Sequence, residues 1–97
     1  MDYAISRAAE ADLIALYREG ADRFGPTQAD RYHASLQTAF EFLARHPQAA
    51  RERSEISPPI RCHPHGSHLI LYRADTAGQV LILRVRHARE DWESEDG

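Results

Sequence analysis

The chain has 97 residues, 42% of them hydrophobic and 28% charged, with a formal net charge of −3. That length holds one domain with a small core, residues 1–97 with an acidic tail over 90–97, and the composition excludes an intrinsically disordered chain. No apolar run approaches the roughly 20 residues that span a bilayer, and the negative balance argues against nonspecific nucleic-acid binding.

The opening Met1-Asp2-Tyr3-Ala4 lacks the basic and apolar segments of a signal peptide. The single Cys62 forms no internal disulfide. Both features lead to the expectation of a cytoplasmic protein without a membrane partner. Charge is unevenly spread: residues 1–50 carry 5 Arg and 7 acids, residues 51–89 carry 7 Arg and 3 acids, and residues 90–97 carry 5 acids. The sheet-forming half is therefore the basic one and suits a specific acidic partner.

In chain order, Tyr3-Ala4-Ile5 is a short strand. Ser6 then caps a helix, with Glu10 and Asp12 near its positive end. Ala9, Leu13, Leu16, Tyr17, Gly20 and Phe24 recur at helical spacing and predict its buried stripe. Gly25-Pro26 stops it. Thr27 caps a second helix, with Asp30 three residues on as a weak capping box. Its apolar stripe is Ala29, Tyr32, Leu36, Ala39, Phe40 and Leu43, and His46-Pro47 ends it. So short a connection makes the two helices an antiparallel hairpin.

Residues 48–59 are polar, end in Pro58-Pro59 and read as a loop. Ile60 to His65 is extended, with Pro64 unsuited to a central ladder position. Ser67 to Ala74 and Gln79 to His87 are strands joined by a turn at 75–78. The order β-α-α-β-β-β predicts an α+β domain, a helical hairpin packed on one face of a small, mainly antiparallel sheet.

That order, with Tyr32 and Phe40, His46-Pro47, Arg61, Pro64-His65-Gly66, Ile70 and Tyr72, then Arg84-Val85, His87 and Asp91, resembles the ParE toxins of the RelE/ParE superfamily. The resemblance spans roughly Tyr3 to Asp91. It implies a bacterial toxin neutralised by a ParD-like antitoxin in a hetero-oligomer. ParE-type toxins poison DNA gyrase by protein–protein binding, and RelE-type relatives on the same fold cut mRNA in the ribosome. Fold alone does not choose between these activities.

On the gyrase expectation no catalytic residue is needed, and Arg84, Arg86, His87, Arg89 and Asp91 are candidates for toxicity or target binding. Metal-independent RNA cleavage would need a base, cations for the phosphate and an acid, and Arg84, His87 and Arg89 would supply them. The structural alternative is that Arg84 pairs with a helix or tail acid and His87 simply ends a strand. Ile14 and Phe42 lie off the main helical stripes, as anchors for an antitoxin helix or as the margin of a wide stripe. The antitoxin, not this chain, is expected to bind operator DNA.

His63 and His65 share a strand face, with His68 nearby. A tight metal site needs three or four converging ligands, and Pro64 and Gly66 suggest a bend, so these are read as loop or sheet-edge histidines. No metal or cofactor is expected, and Cys62 is read as an inert thiol. Tyr17, Phe24, Tyr32 and Phe40 could form a base-stacking set, but their helical spacing assigns them to the core. The acids Glu90, Asp91, Glu93, Glu95 and Asp96 form a solvated tail, or fold over the Arg-rich strand end and screen it.

Overall fold

The computed structural model describes residues 3–53 and 59–88. Arg89, Asp91 and the acidic tail lie outside the described residues. Seven elements follow in order: β1 (Tyr3–Ile5), α1 (Arg7–Phe24), α2 (Pro26–Arg45), β2 (Glu52–Arg53), β3 (Ile60–His65), β4 (His68–Ala74) and β5 (Val80–His87). The strands form one sheet in the order β1-β5-β4-β3-β2. β1 runs parallel to β5, and the other pairs are antiparallel. The helical hairpin covers one face, the α+β arrangement expected from the sequence.

Ser6 is the N-cap of α1, and its Oγ accepts the Ala9 N–H at 3.0 Å. The same Oγ donates to the Leu83 carbonyl at 2.8 Å, so the cap also ties α1 to β5. α2 departs from the expected start. Pro26 opens it and Gly25, at φ +89°, is the N-cap with no side-chain hydrogen bond. Proline is favoured at the first helical position, so the helix begins before Thr27 can cap it. Asp30 instead accepts the Tyr17 hydroxyl at 2.6 Å, joining the two helices. Gly20 and Ala29 mark their close approach, since a Cβ on Gly20 would lie 3.7 Å from that of Ala29.

The expected loop at 48–59 contains β2, two residues paired to Ile60 and Arg61. The connector before it is pinned from below. The buried Tyr72 hydroxyl donates to the Pro47 carbonyl (3.0 Å) and accepts the Ala50 N–H (3.3 Å), while Arg61 Nη1 donates to the Ala50 carbonyl (2.6 Å). β2 reaches no further than Arg61, so among the described strands Pro64 sits where β3 has only β4 beside it. A missing N–H costs no ladder bond there.

Leu36, Phe40 and Leu43 from α2 meet Ile70, Tyr72, Val80, Ile82 and Val85 from the sheet, with Ala9 and Leu13 closing the core from α1. Each large side chain buried there stabilises the fold by roughly 1.5–3 kcal/mol. Ile60 and Leu71, with Cys62, Leu69 and Leu83, form a second cluster on alternate strand positions, facing away from the helices.

One irregularity shapes the end of β5. Leu71 pairs with Arg84 but Tyr72 pairs with Ile82, so Leu83 is one extra residue. Strict alternation from Val80 and Ile82 would aim Arg84 and Arg86 into the core. The bulge advances the phase by one and puts Val85 there instead, 4% exposed.

Candidate functional site

β1 accompanies β5 only from Val80 to Ile82, leaving the rest of that edge to α1. Asp12 fills it. Its carboxylate accepts the Val85 N–H at 3.0 Å and both Nε (2.8 Å) and Nη2 (3.0 Å) of Arg84. The forked geometry suits a guanidinium and a carboxylate. Burial raises the Asp12 pKa, but the Arg84 and Val85 hydrogen bonds and the charges of Arg84 and Arg86 outweigh it and hold the carboxyl below its ordinary value. Arg84 is thus a strut between β5 and α1.

Beside this pair, Arg86 and His87 border a shallow groove with Asp12, Leu16 and Glu19. His87 stands opposite His68, and His68 opposite His65, so three imidazoles cross β3, β4 and β5 in one row. The rings of His68 and His87 meet edge-on at 5.4 Å. Tyr32 from α2 wedges against His65 and His68, its hydroxyl donating to the His65 carbonyl (3.1 Å) and lying 2.7 Å from His68 Nδ1. Burial pushes the Tyr32 phenol up, and a hydrogen bond to the Ser67 backbone offsets this in part. Ser35 holds the other end of the row at 2.9 Å from His65 Nε2. His65 and His68 are strand residues against Tyr32 and Ser35 of α2, and His63 and His65 lie beyond the end of β2, on the sheet-edge side of the expected alternatives. Among the described residues no group of three or more His, Cys, Asp or Glu is arranged to hold a metal.

Of the residues singled out in the sequence, Arg84, Arg86 and His87 gather at the end of β5. Ile14 and Phe42 are 49% and 44% exposed, on different helices. Phe42 packs against the rings of His46 and His63. Burial, and then the charge of His65, hold His63 below the usual imidazole range. Phe24, expected in the core, is 69% exposed. It ends α1 beyond the sheet and forms one wall of a groove of about 340 Å³ between the helix ends and the β4 and β5 termini. The signal for this was present: Phe24 immediately precedes Gly25-Pro26, where the stripe outruns the surface it packs on.

Residues 3–92 match the family described as ParE toxin of type II toxin-antitoxin system, parDE. The chain belongs to the ParE toxin family. It is 37% identical over 89 residues to Toxin ParE1 of Mycobacterium tuberculosis strain H37Rv, covering 92% of this chain and 91% of that one. It is 34% identical over 85 residues to Toxin ParE1 of Caulobacter vibrioides, covering 88% and 86%. Its fold is similar to a solved structure described as the chromosomal ParDE TA system from P. aeruginosa, with a TM-score of 0.74 and 24% identity over 90% of this chain and 95% of that one. No helix among the described residues is long and apolar enough to cross a membrane.

Proposed function

We propose that this chain arrests growth by binding DNA gyrase, and that a ParD-like antitoxin neutralises it in a cytoplasmic hetero-oligomer. Membership of the ParE family over residues 3–92 carries this reading. On it, the toxin acts by contact and not by catalysis. Arg84, Arg86 and His87 at the end of β5, continued by Arg89 and Asp91, belong to the surface for the target. Ile14 and Phe42 offer half-exposed apolar anchor points to an antitoxin segment. The antitoxin carries the DNA-binding half that represses the operon.

The engagement of Arg84 supports contact over RNA cleavage. A phosphate-binding guanidinium should meet its substrate with its fork available, whereas two arms of Arg84 are held by Asp12. The purified chain, added to gyrase and plasmid DNA, should inhibit supercoiling and accumulate protein-linked cleaved DNA. Full supercoiling with no cleaved DNA at a large excess of toxin would overturn the proposal.

A further inference from the structure

α1 presents a face that neither α2 nor the sheet covers, and the charges on that face alternate in sign. Three of the acidic and basic side chains of α1 are engaged: Asp12 is held by Arg84, and Glu19 lies 3.7 Å from Arg23. The other four, Arg7, Glu10, Arg18 and Asp22, are exposed and make no ion pair among the described residues. Arg18 and Asp22 are four apart, but a cation ahead of an acid is the weaker order for a pair within one helix.

Ile14, 49% exposed, stands midway between Glu10 and Arg18. Glu10, Ile14, Arg18 and Asp22 recur at intervals of four and form one ridge along the helix. The neighbouring row carries Ala11 and Ala15, both exposed, whose methyl groups leave a shallow groove beside the ridge. Two such ridges interdigitate in the commonest class of helix crossing.

The sign pattern selects the occupant. Let a second α1 lie antiparallel across the first, with the two Ile14 side chains at the crossing. Glu10 of each copy then comes level with Arg18 of the other, each about 6 Å from the crossing along the axis. Arg7 comes level with Asp22, about 10–12 Å out. Pairs of opposite charge surround a central apolar contact, and the same patch serves both copies. A parallel arrangement sets like charges side by side, so the pattern fits one orientation.

We infer that this chain pairs with a second copy of itself through α1, antiparallel about Ile14. One helix crossing buries less than the roughly 1,200 Å² at the lower end of stable interfaces, so the pair is weak and reversible, with a dissociation constant in the micromolar range. The exposed charges make it salt-sensitive. The inference stands apart from the gyrase and antitoxin readings, although an antitoxin segment seated on Ile14 must separate the pair.

Sedimentation equilibrium of the purified full-length chain, from low micromolar to submillimolar concentration, should show a dimer that dissociates on dilution and weakens with salt. Glu10→Arg and Arg18→Glu should each raise the dissociation constant about ten-fold or more, because two like-charged contacts per dimer replace two attractive ones. Mixed in equal amounts, the two single variants meet opposite charges across the crossing and should pair with each other. The double variant Glu10→Arg/Arg18→Glu should return to within about two-fold of the parent. Both positions are exposed, so far-UV circular dichroism should be unchanged throughout. A monomer at every concentration would overturn the inference and leave this face to a different protein. So would a dimer that both single reversals leave intact, which places the contact elsewhere, or a mixture and a double variant that pair no better than the single variants.

Discussion

The Tyr32 hydroxyl occupies the space that a side chain at position 66 would need. A Cβ on Gly66 would lie 2.8 Å from that oxygen, and Gly66 is held at φ +55°. Tyr32 on α2 and the Pro64-His65-Gly66 turn are therefore one device, which fixes the β3–β4 hairpin to the helices and positions the histidine row.

Gly66→Ala should cost about 1–3 kcal/mol, from left-handed backbone strain and the collision with Tyr32. In a Tyr32→Phe background the penalty should shrink by about 0.5 kcal/mol or more, because the closest atom is gone. Urea unfolding of the four proteins measures the coupling. Strict additivity would show that the two positions act separately.

Asp12→Asn should destabilise the fold by about 1–2 kcal/mol at neutral pH, toward the low end because Arg84 is partly exposed to solvent. The folded pKa of Asp12 lies below its ordinary 3.8. Its ionisation therefore contributes fully above that value, and the contribution is lost as pH falls through the lower folded value. The stability curves of the parent and the variant should converge in acid. A constant gap at every pH would mean that geometry, not charge, dominates.

His63 titrates in the opposite chemical sense but with the same pH direction. Its folded pKa lies below 6.5, so folding favours the neutral ring. Stability is undiminished above 6.5 and decreases as pH falls from there through the folded value, because the unfolded chain binds the proton more readily. His63→Gln should flatten this limb, measured as the unfolding midpoint between neutral and mildly acidic pH. An unchanged slope would assign the dependence to another group.

Much of the fold was legible in the sequence. Ser6 as a cap, Gly25-Pro26 as a stop, His46-Pro47 as an end and the hairpin around Asp75 are local signals, and each gives local structure. Thr27 failed as a cap because Pro26 competes one residue earlier. β2 carries no apolar alternation, so only its pairing to Ile60 and Arg61 reveals it. The bulge was visible in principle. The spacing of Val80, Ile82 and Val85 breaks a period of two, and Leu83 absorbs the break. That Arg84 pairs with a helix or tail acid was legible as an expectation, but not which acid, since Asp12 lies 72 residues away in the chain and periodicity carries no such information. Arg84 and His87 were found as a cluster from their order alone, whereas their contacts with Asp12 and His68 required the fold.

If Ile14 and Phe42 anchor the antitoxin, Ile14→Ser and Phe42→Ser should each weaken its binding about ten-fold, roughly 1.4 kcal/mol, mostly through faster dissociation. Both residues are half-exposed, so the melting temperature of the toxin should hardly move. Unchanged dissociation rates measured by surface-immobilised antitoxin would remove these residues from the interface.

The most direct measurement is induced expression of the chain without an antitoxin, scoring growth, DNA breakage and mRNA integrity together, with His87→Ala alongside. Growth arrest with broken DNA and intact messages, and a variant that still breaks DNA and at most loses one contact's worth of potency, is the predicted result. Arrest with cleaved messages, intact DNA and a harmless His87→Ala would contradict it and assign the activity to RNA cleavage.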